Sequence, residues 1–160
     1  MQCNMMDYIL EQAQSLLAIK SPTGYTEEAA DYLFTTLTEM GYQPKRTAKN
    51  SIVVCLGGEG NPILLTAHVD TLGAIVREVK ANGRLSLSPH VNLKLKEQPR
   101  DFDTMEVVLD EKVYSKEETE ALGVSAGDFV AFDPRTVLTE SGYLKSRFID
   151  DKGCSAILLA

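Results

Sequence analysis

Met6, Ile9, Leu10, Ala13, Leu16 and Leu17 recur at helical spacing and predict an opening helix with one apolar face. Ser21-Pro22-Thr23-Gly24 is rich in turn formers and should stop it. Thr26 then stands where an N-cap is needed, with Glu27 and Glu28 at the positive end of a second helix dipole. Ala30, Leu33, Phe34 and Leu37 continue its inner face, and Gly41 supplies the C-cap. The pattern then shortens to that of strands. Ser51 to Leu56 is apolar and β-branched, residues 57–62 are a glycine-rich turn, and Ile63 to Ala67 is a nearly continuous apolar run. Such a run predicts a strand buried on both faces. It ends at His68-Val69-Asp70, and open α/β sheets place chemistry at the carboxyl ends of their strands.

Beyond Asp70 the pattern is mostly β. Leu72 to Val79 and Arg84 to Ser88 flank Asn82-Gly83, a hairpin signal. Residues 90–104 are polar and carry no assignable pattern, and Met105 to Leu109 reads as a strand. Ser115-Lys116-Glu117-Glu118 is a capping box for a short helix that ends at Gly123. Asp128 to Phe132 and Thr136 to Leu144 read as strands. Asp150-Asp151 opens a last helix whose apolar residues Ala156 to Leu159 run to the final residue without a cap. The expected architecture is an α/β domain from residues 1–72 and 145–160, with a β-rich domain, residues 73–144, inserted into it.

Composition narrows the function. The 160 residues are 44% apolar, enough for a packed core. A net charge of −7 without a stripe of Lys and Arg argues against a nucleic-acid partner. The start lacks the basic-then-apolar pattern of a signal peptide, and no apolar run reaches bilayer length, so no membrane partner is expected. Three widely spaced cysteines, Cys3, Cys55 and Cys154, fit a reducing cytoplasm rather than a disulfide framework.

Two short patterns carry chemistry. His68 and Asp70 are two residues apart, so on a strand they share a face. A carboxylate there can accept from one imidazole nitrogen and leave the other free for a metal. The same pattern also fits a polar strand end with a satisfied histidine. Asp150-Asp151 likewise has a plain explanation, since aspartate is among the best helix N-caps. Together with His68 it acquires another, because two-metal hydrolases need a carboxylate that reaches both ions.

The wording of these segments resembles one family. Thr66-Ala67-His68-Val69-Asp70-Thr71-Leu72-Gly73 looks like the "THxDxxG" element of the M42 aminopeptidases, the glutamyl-aminopeptidase and tetrahedral-aminopeptidase family. Phe148-Ile149-Asp150-Asp151-Lys152-Gly153-Cys154 resembles its "ALDDRxGC" element. Ser21-Pro22-Thr23-Gly24-Tyr25 is similar to its "SPSG" segment, and Glu117-Glu118 through Asp128 resembles its "EEAxxxGIxxGD" stretch. The elements occur in the family's order.

The resemblance implies a zinc-exopeptidase-like α/β sheet domain with an inserted dimerisation domain, both incomplete. It implies two divalent metal ions, zinc or cobalt, and peptide substrates cut at their N-terminal residue. His68 and Asp150 would be metal ligands, Asp150 bridging the two ions. Asp70 would be the catalytic-site residue that orients His68, and Asp151 a neighbour rather than a ligand. Ser21 to Tyr25 would be structural. The inserted domain would build a homo-oligomer from dimers, a dodecamer among the forms.

The family also carries, downstream, a Glu-Glu pair and further aspartate and histidine ligands with no counterpart in these residues. Glu27-Glu28 and Glu117-Glu118 fit helix first turns and do not replace the pair. The 160 residues alone are therefore expected not to turn over peptides. Around Ser88-Pro89-His90-Val91 the family has more strands and a glycine-rich turn, and His90 is given no role. The alternatives are another metal-dependent hydrolase on this scaffold, such as a deacylase, and a non-catalytic fragment or interaction module.

Overall fold

The computed structural model describes residues 4–89 and 106–160, which fall into two compact units. One comprises Met1–Thr71 with Asp133–Ala160, the other Leu72–Phe132. Residues 133–144, expected in the inserted part, cluster instead with the first unit.

The first unit opens with α1 (Met5–Ala18), capped by the Asn4 side chain, which accepts from the Met6 amide. Its apolar face is buried only in the second half, at Ala13, Leu16 and Leu17, while Met5 and Met6 are exposed. The helical spacing is right, but packing reaches only the last turns. α2 (Glu27–Glu39) follows. Thr26 takes the N-cap position without a side-chain hydrogen bond. Its carbonyl still accepts from the Ala30 amide at 3.0 Å. Gly41, with a φ of 89°, ends the helix as expected. β1 (Lys45–Arg46) pairs antiparallel with β2 (Ile52–Val53), the part of the 51–56 run that finds a partner.

The strand expected at Ile63 to Ala67 does not form. Among the described residues nothing pairs with it, and Ile63 and Leu64 are 87% and 81% exposed. Apolar character marks the side chains that want burial, whereas a strand exists only where a second backbone completes the ladder.

The second unit is a four-stranded antiparallel sheet in the order β5-β4-β3-β6, built from β3 (Gly73–Val79), β4 (Leu85–Pro89), β5 (Glu106–Val107) and β6 (Phe129–Ala131). The hairpin turns at Asn82-Gly83 as expected, and Gly83 adopts a φ of 79° that favours glycine. A side chain there would also meet the Thr119 hydroxyl at 3.0 Å. Ala74, Val76, Val79, Leu85 and Leu87 form the core, with Val107, Leu109, Val124 and Val130 packed against it. α3 (Lys116–Ala121) carries the expected capping box: Ser115 Oγ accepts from the Glu118 amide and Glu118 Oε2 from the Ser115 amide, both at 3.2 Å. The unassigned stretch 90–104, together with Met105, lies outside the described residues.

One ion cluster ties this sheet together. Hydrogen bonds from Lys80 and, at 3.1 Å, from Arg84 hold the Glu106 carboxyl below its ordinary value of 4.5. A folded-state pKa below the unfolded one contributes stability that is present above the unfolded value and is lost as pH falls through the folded one. The wild-type chain should therefore melt above Glu106→Gln at neutral pH, and the two should converge in acid below pH 4.5. A gap that persists in acid would contradict this.

The chain returns to the first unit through the hairpin β7 (Val137–Leu138) and β8 (Leu144–Lys145), then α4 (Ile149–Leu158). Leu16 and Ala13 of α1 pack against Ala156 of α4 and Leu159, with Tyr8, Tyr32, Leu33, Leu37, Val69 and Leu144 around them. Through Val69, this cluster seats the His68–Asp70 segment on the core. Lys152 joins the same two helices. It is 1% exposed, and its ammonium donates to Leu16 O at 2.7 Å and Ile19 O at 2.6 Å.

Candidate metal centre

Residues 68–71 lack a ladder, yet much of their backbone is held by hydrogen bonds. The His68 amide donates to Asp151 Oδ2 at 3.3 Å, and its carbonyl accepts from Ser155 Oγ at 3.2 Å. The Val69 carbonyl accepts from Ser21 Oγ at 2.6 Å. Pro22 and Thr71 form a parallel bridge: the Thr71 amide donates to Ser21 O at 2.8 Å and the Thr23 amide to Thr71 O at 3.1 Å. A turn and a helix thus supply the bonds that neighbouring strands give in a sheet.

That scaffold brings the sequence-predicted residues together. His68 Nδ1 lies 3.0 Å from Asp70 Oδ1, and His68 Nε2 lies 3.5 Å from Asp150 Oδ1. His68 Nδ1 also lies 3.3 Å from the Asp70 backbone carbonyl. A carbonyl and an ionised carboxylate both only accept, so the two Asp70 contacts favour the imidazole proton on Nδ1 and leave the Nε2 lone pair toward Asp150. Nε2 and the Asp150 carboxylate then face each other as two electron-pair donors, an arrangement that a cation satisfies. The His68 side chain is 54% exposed and that of Asp150 96%, so both are open to an incoming ion.

The start of α4 shapes the second half of the site. Phe148 enters in the left-handed region at φ 63°, and Asp150 and Asp151 have non-helical backbone angles. The peptide between them is cis. Regular helix begins only at Lys152, so the aspartates project from a bend rather than from a helical first turn. Asp151 is occupied: the Cys154 thiol, then the His68 amide, hold its carboxyl below the usual range. The same hydrogen bond, with burial and the negative charges of Asp151 and Asp150, pushes the Cys154 thiol up. Cys154 therefore stays a thiol, the protonation state that does not ligate metals, while Asp151 serves as an anchor for His68.

A cleft of about 900 Å³ opens beside these groups, bordered by Thr23, Tyr25, Arg46, Asn50, His68 and Asp70. The donor chemistry of His68 and Asp150 fits a divalent ion as two of its ligands. Among the described residues no group of three or more His, Cys, Asp and Glu converges. Even a single catalytic zinc usually has three protein ligands.

Nothing in the sequence singles out Ser155, or the hydroxyls of Ser21 and Thr23 as partners of Val69 and Asp70. Hydroxyls in a turn and inside an apolar helix look like caps and surface positions, and only the fold shows which backbone they meet.

A sequence model of the M42 glutamyl aminopeptidase family matches residues 50–89 and 85–160. The chain is 36% identical over 187 residues to a protein named "Putative aminopeptidase YhfE" of Bacillus subtilis (strain 168), covering 94% of this chain and 54% of that one. It is 30% identical over 84 residues to the glutamyl aminopeptidase of Lactococcus lactis subsp. cremoris (strain MG1363), covering 51% and 24%. Among solved structures, the aminopeptidase APDkam598 of the archaeon Desulfurococcus kamchatkensis superposes with a TM-score of 0.80 at 16% identity, over 98% of this chain and 52% of that one. The TET1 peptidase of Pyrococcus horikoshii, which can assemble into a tetrahedron or a large octahedral shell, gives 0.76 at 19% identity, over 94% and 54%. These superpositions show the fold, and no helix among the described residues is long and apolar enough to cross a membrane. The chain spans about half the length of the Bacillus relative, and the family match falls in two stretches that overlap at residues 85–89. With the family model covering more than half of its residues, the chain belongs to the M42 glutamyl aminopeptidase family.

Proposed function

We propose that this chain supplies part of the active site of a metal-dependent aminopeptidase acting on peptides, with His68 and Asp150 as metal ligands and Asp70 as the residue that orients His68. One observation carries the proposal: His68 Nδ1 sits on Asp70 while Nε2 points toward Asp150 across 3.5 Å. A bound divalent ion polarises a peptide carbonyl and lowers the pKa of water. The residues of this chain do the holding. His68 offers Nε2, Asp70 keeps the ring proton on the far nitrogen, Asp151 and Ser155 fix the His68 backbone, and Asp150 presents a solvent-open carboxylate. The complete site would hold two divalent ions, zinc or cobalt, with His68 and Asp150 among their ligands.

The unit from Leu72 to Phe132 we assign to subunit contacts in a dimer-built homo-oligomer. The support is the assembly of the Pyrococcus relative and the exposure of Val108, Tyr114 and Leu122.

The test joins this chain to the remaining half of its Bacillus relative and offers the purified hybrid, with cobalt or zinc, two chromogenic substrates. One is an aminoacyl anilide with a free amine, the other its N-acetyl counterpart. Cleavage of the first alone is expected. Release of acetate from the second, with no arylamine released from the first, would make the protein a deacylase. If neither is cleaved although the hybrid folds and binds metal, the peptidase reading is wrong.

A further inference from the structure

We infer that Thr23 is a positioning residue for the metal centre: its hydroxyl, donated to Asp70, fixes the carboxylate that sets the His68 ring. The inference rests on the reading of His68 as a ligand. The Thr23 hydroxyl lies 2.8 Å from Asp70 Oδ2, while Asp70 Oδ1 faces His68 Nδ1 at 3.0 Å. The two oxygens of one carboxylate are thus engaged from opposite sides. The final torsion of an aspartate is broad and roughly two-fold, and the Asp70 side chain is 39% exposed, so without a second contact it would turn among several solvated positions.

Thr23 is itself well held. Its backbone is tied to Thr71 through the Pro22 bridge, the preceding proline has a locked φ, and a β-branched side chain is stiff at χ1. The other acceptor within reach of its hydroxyl, Thr71 O, is at 3.4 Å, so the proton goes to the nearer, charged oxygen. The chain Thr23–Asp70–His68 therefore passes the rigidity of the proline turn to the imidazole. What it adds to is the choice of tautomer, which the Asp70 carbonyl, 3.3 Å from the same Nδ1, also favours: the contacts made by one ring nitrogen decide which nitrogen is free to bind a metal.

The test has a readout that needs no metal and one that does. The chain has two histidines, so nitrogen-15 spectra of the rings are readily assigned with His90→Gln. At pH of about 9, where ordinary imidazoles are neutral, Thr23→Val is expected to lower the Nδ1–H fraction of His68. It should also weaken Co2+ binding about tenfold, the low end for losing an outer partner of a metal ligand. Thr23→Ser keeps the hydroxyl and should retain both values. Thr23 is exposed, so the fold should survive, and circular dichroism checks it; should Thr23→Val not fold, Thr23→Ala takes its place. An unchanged tautomer in Thr23→Val overturns the inference whatever the affinity does, and so does a serine variant that behaves like the valine one. A shifted tautomer with unaltered Co2+ affinity, or Co2+ binding that survives His68→Ala, sinks the metal reading instead and leaves the hold of Thr23 on the ring standing.

Discussion

His68→Ala is expected to lower kcat/KM of the hybrid on the free-amine substrate by about a hundredfold or more. Loss of an outer-shell partner alone costs roughly 10–100-fold in many metal sites, and His68 is placed to be a ligand itself. Asp150→Ala should lose as much, and the double variant should be little worse than either single one, because groups that act as one unit are not additive. Asp70→Ala should fall within the outer-shell range, since it removes the orienting carboxylate and leaves Nε2 in place. The fold should be unaffected, as the His68 and Asp150 side chains are largely in solvent. A His68→Ala hybrid with wild-type kcat/KM would remove His68 from the site, and fully additive losses would separate it from Asp150.

The largest expected loss of stability belongs to Lys152→Ala, at about 2–4 kcal/mol. The lysine stem fills space between α1 and α4, and truncating a buried side chain of that length costs about 2–5 kcal/mol. The Leu16 and Ile19 carbonyls would lose their donor, about 1–3 kcal/mol more. Against this stands the cost of burying the ammonium. Burial, opposed in part by the charge of Glu28, pulls its pKa down to about 8 from 10.5, a cost of about 3 kcal/mol at neutral pH. Lys152→Met keeps the volume and exchanges the hydrogen bonds for relief of that cost, so it should stay within about 1 kcal/mol of wild type. Denaturant melts of the three chains decide it. A methionine variant as unstable as the alanine one would show that the hydrogen bonds, not the packing, hold α1 to α4.

The contrast between the two ends of the site shows what sequence can carry. Local signals were legible where neighbours in the chain satisfy each other: the Ser115–Glu118 box, the Asn82-Gly83 turn, the glycine that ends α2. The family order of the His68 and Asp150 segments made their meeting foreseeable, since two motifs far apart in sequence have one reason to occur together. The 63–67 segment forms no strand because an apolar run marks side chains suited to burial, while strand character depends on a partner backbone that the segment does not itself encode. The clamp on residues 68–71 was illegible for the same reason. Ser21 and Ser155 act on backbone groups, and the identity of those groups follows from the packing of α1, α4 and Val69 rather than from any local pattern. Lys152 illustrates a third case. A lysine beside two aspartates looks like a surface charge, and only the approach of α1 reveals that its ammonium caps the carbonyls of another helix.

The most direct test of the central claim, that His68 and Asp150 hold a metal together, is a Co2+ titration of this 160-residue chain followed in the ring spectra of its two histidines. Paramagnetic broadening should strike His68 well before His90, and Asp150→Asn should raise the cobalt concentration needed by about tenfold, in the range for losing one partner of a metal site. Equal broadening of both rings, with no effect of Asp150→Asn, would contradict the account.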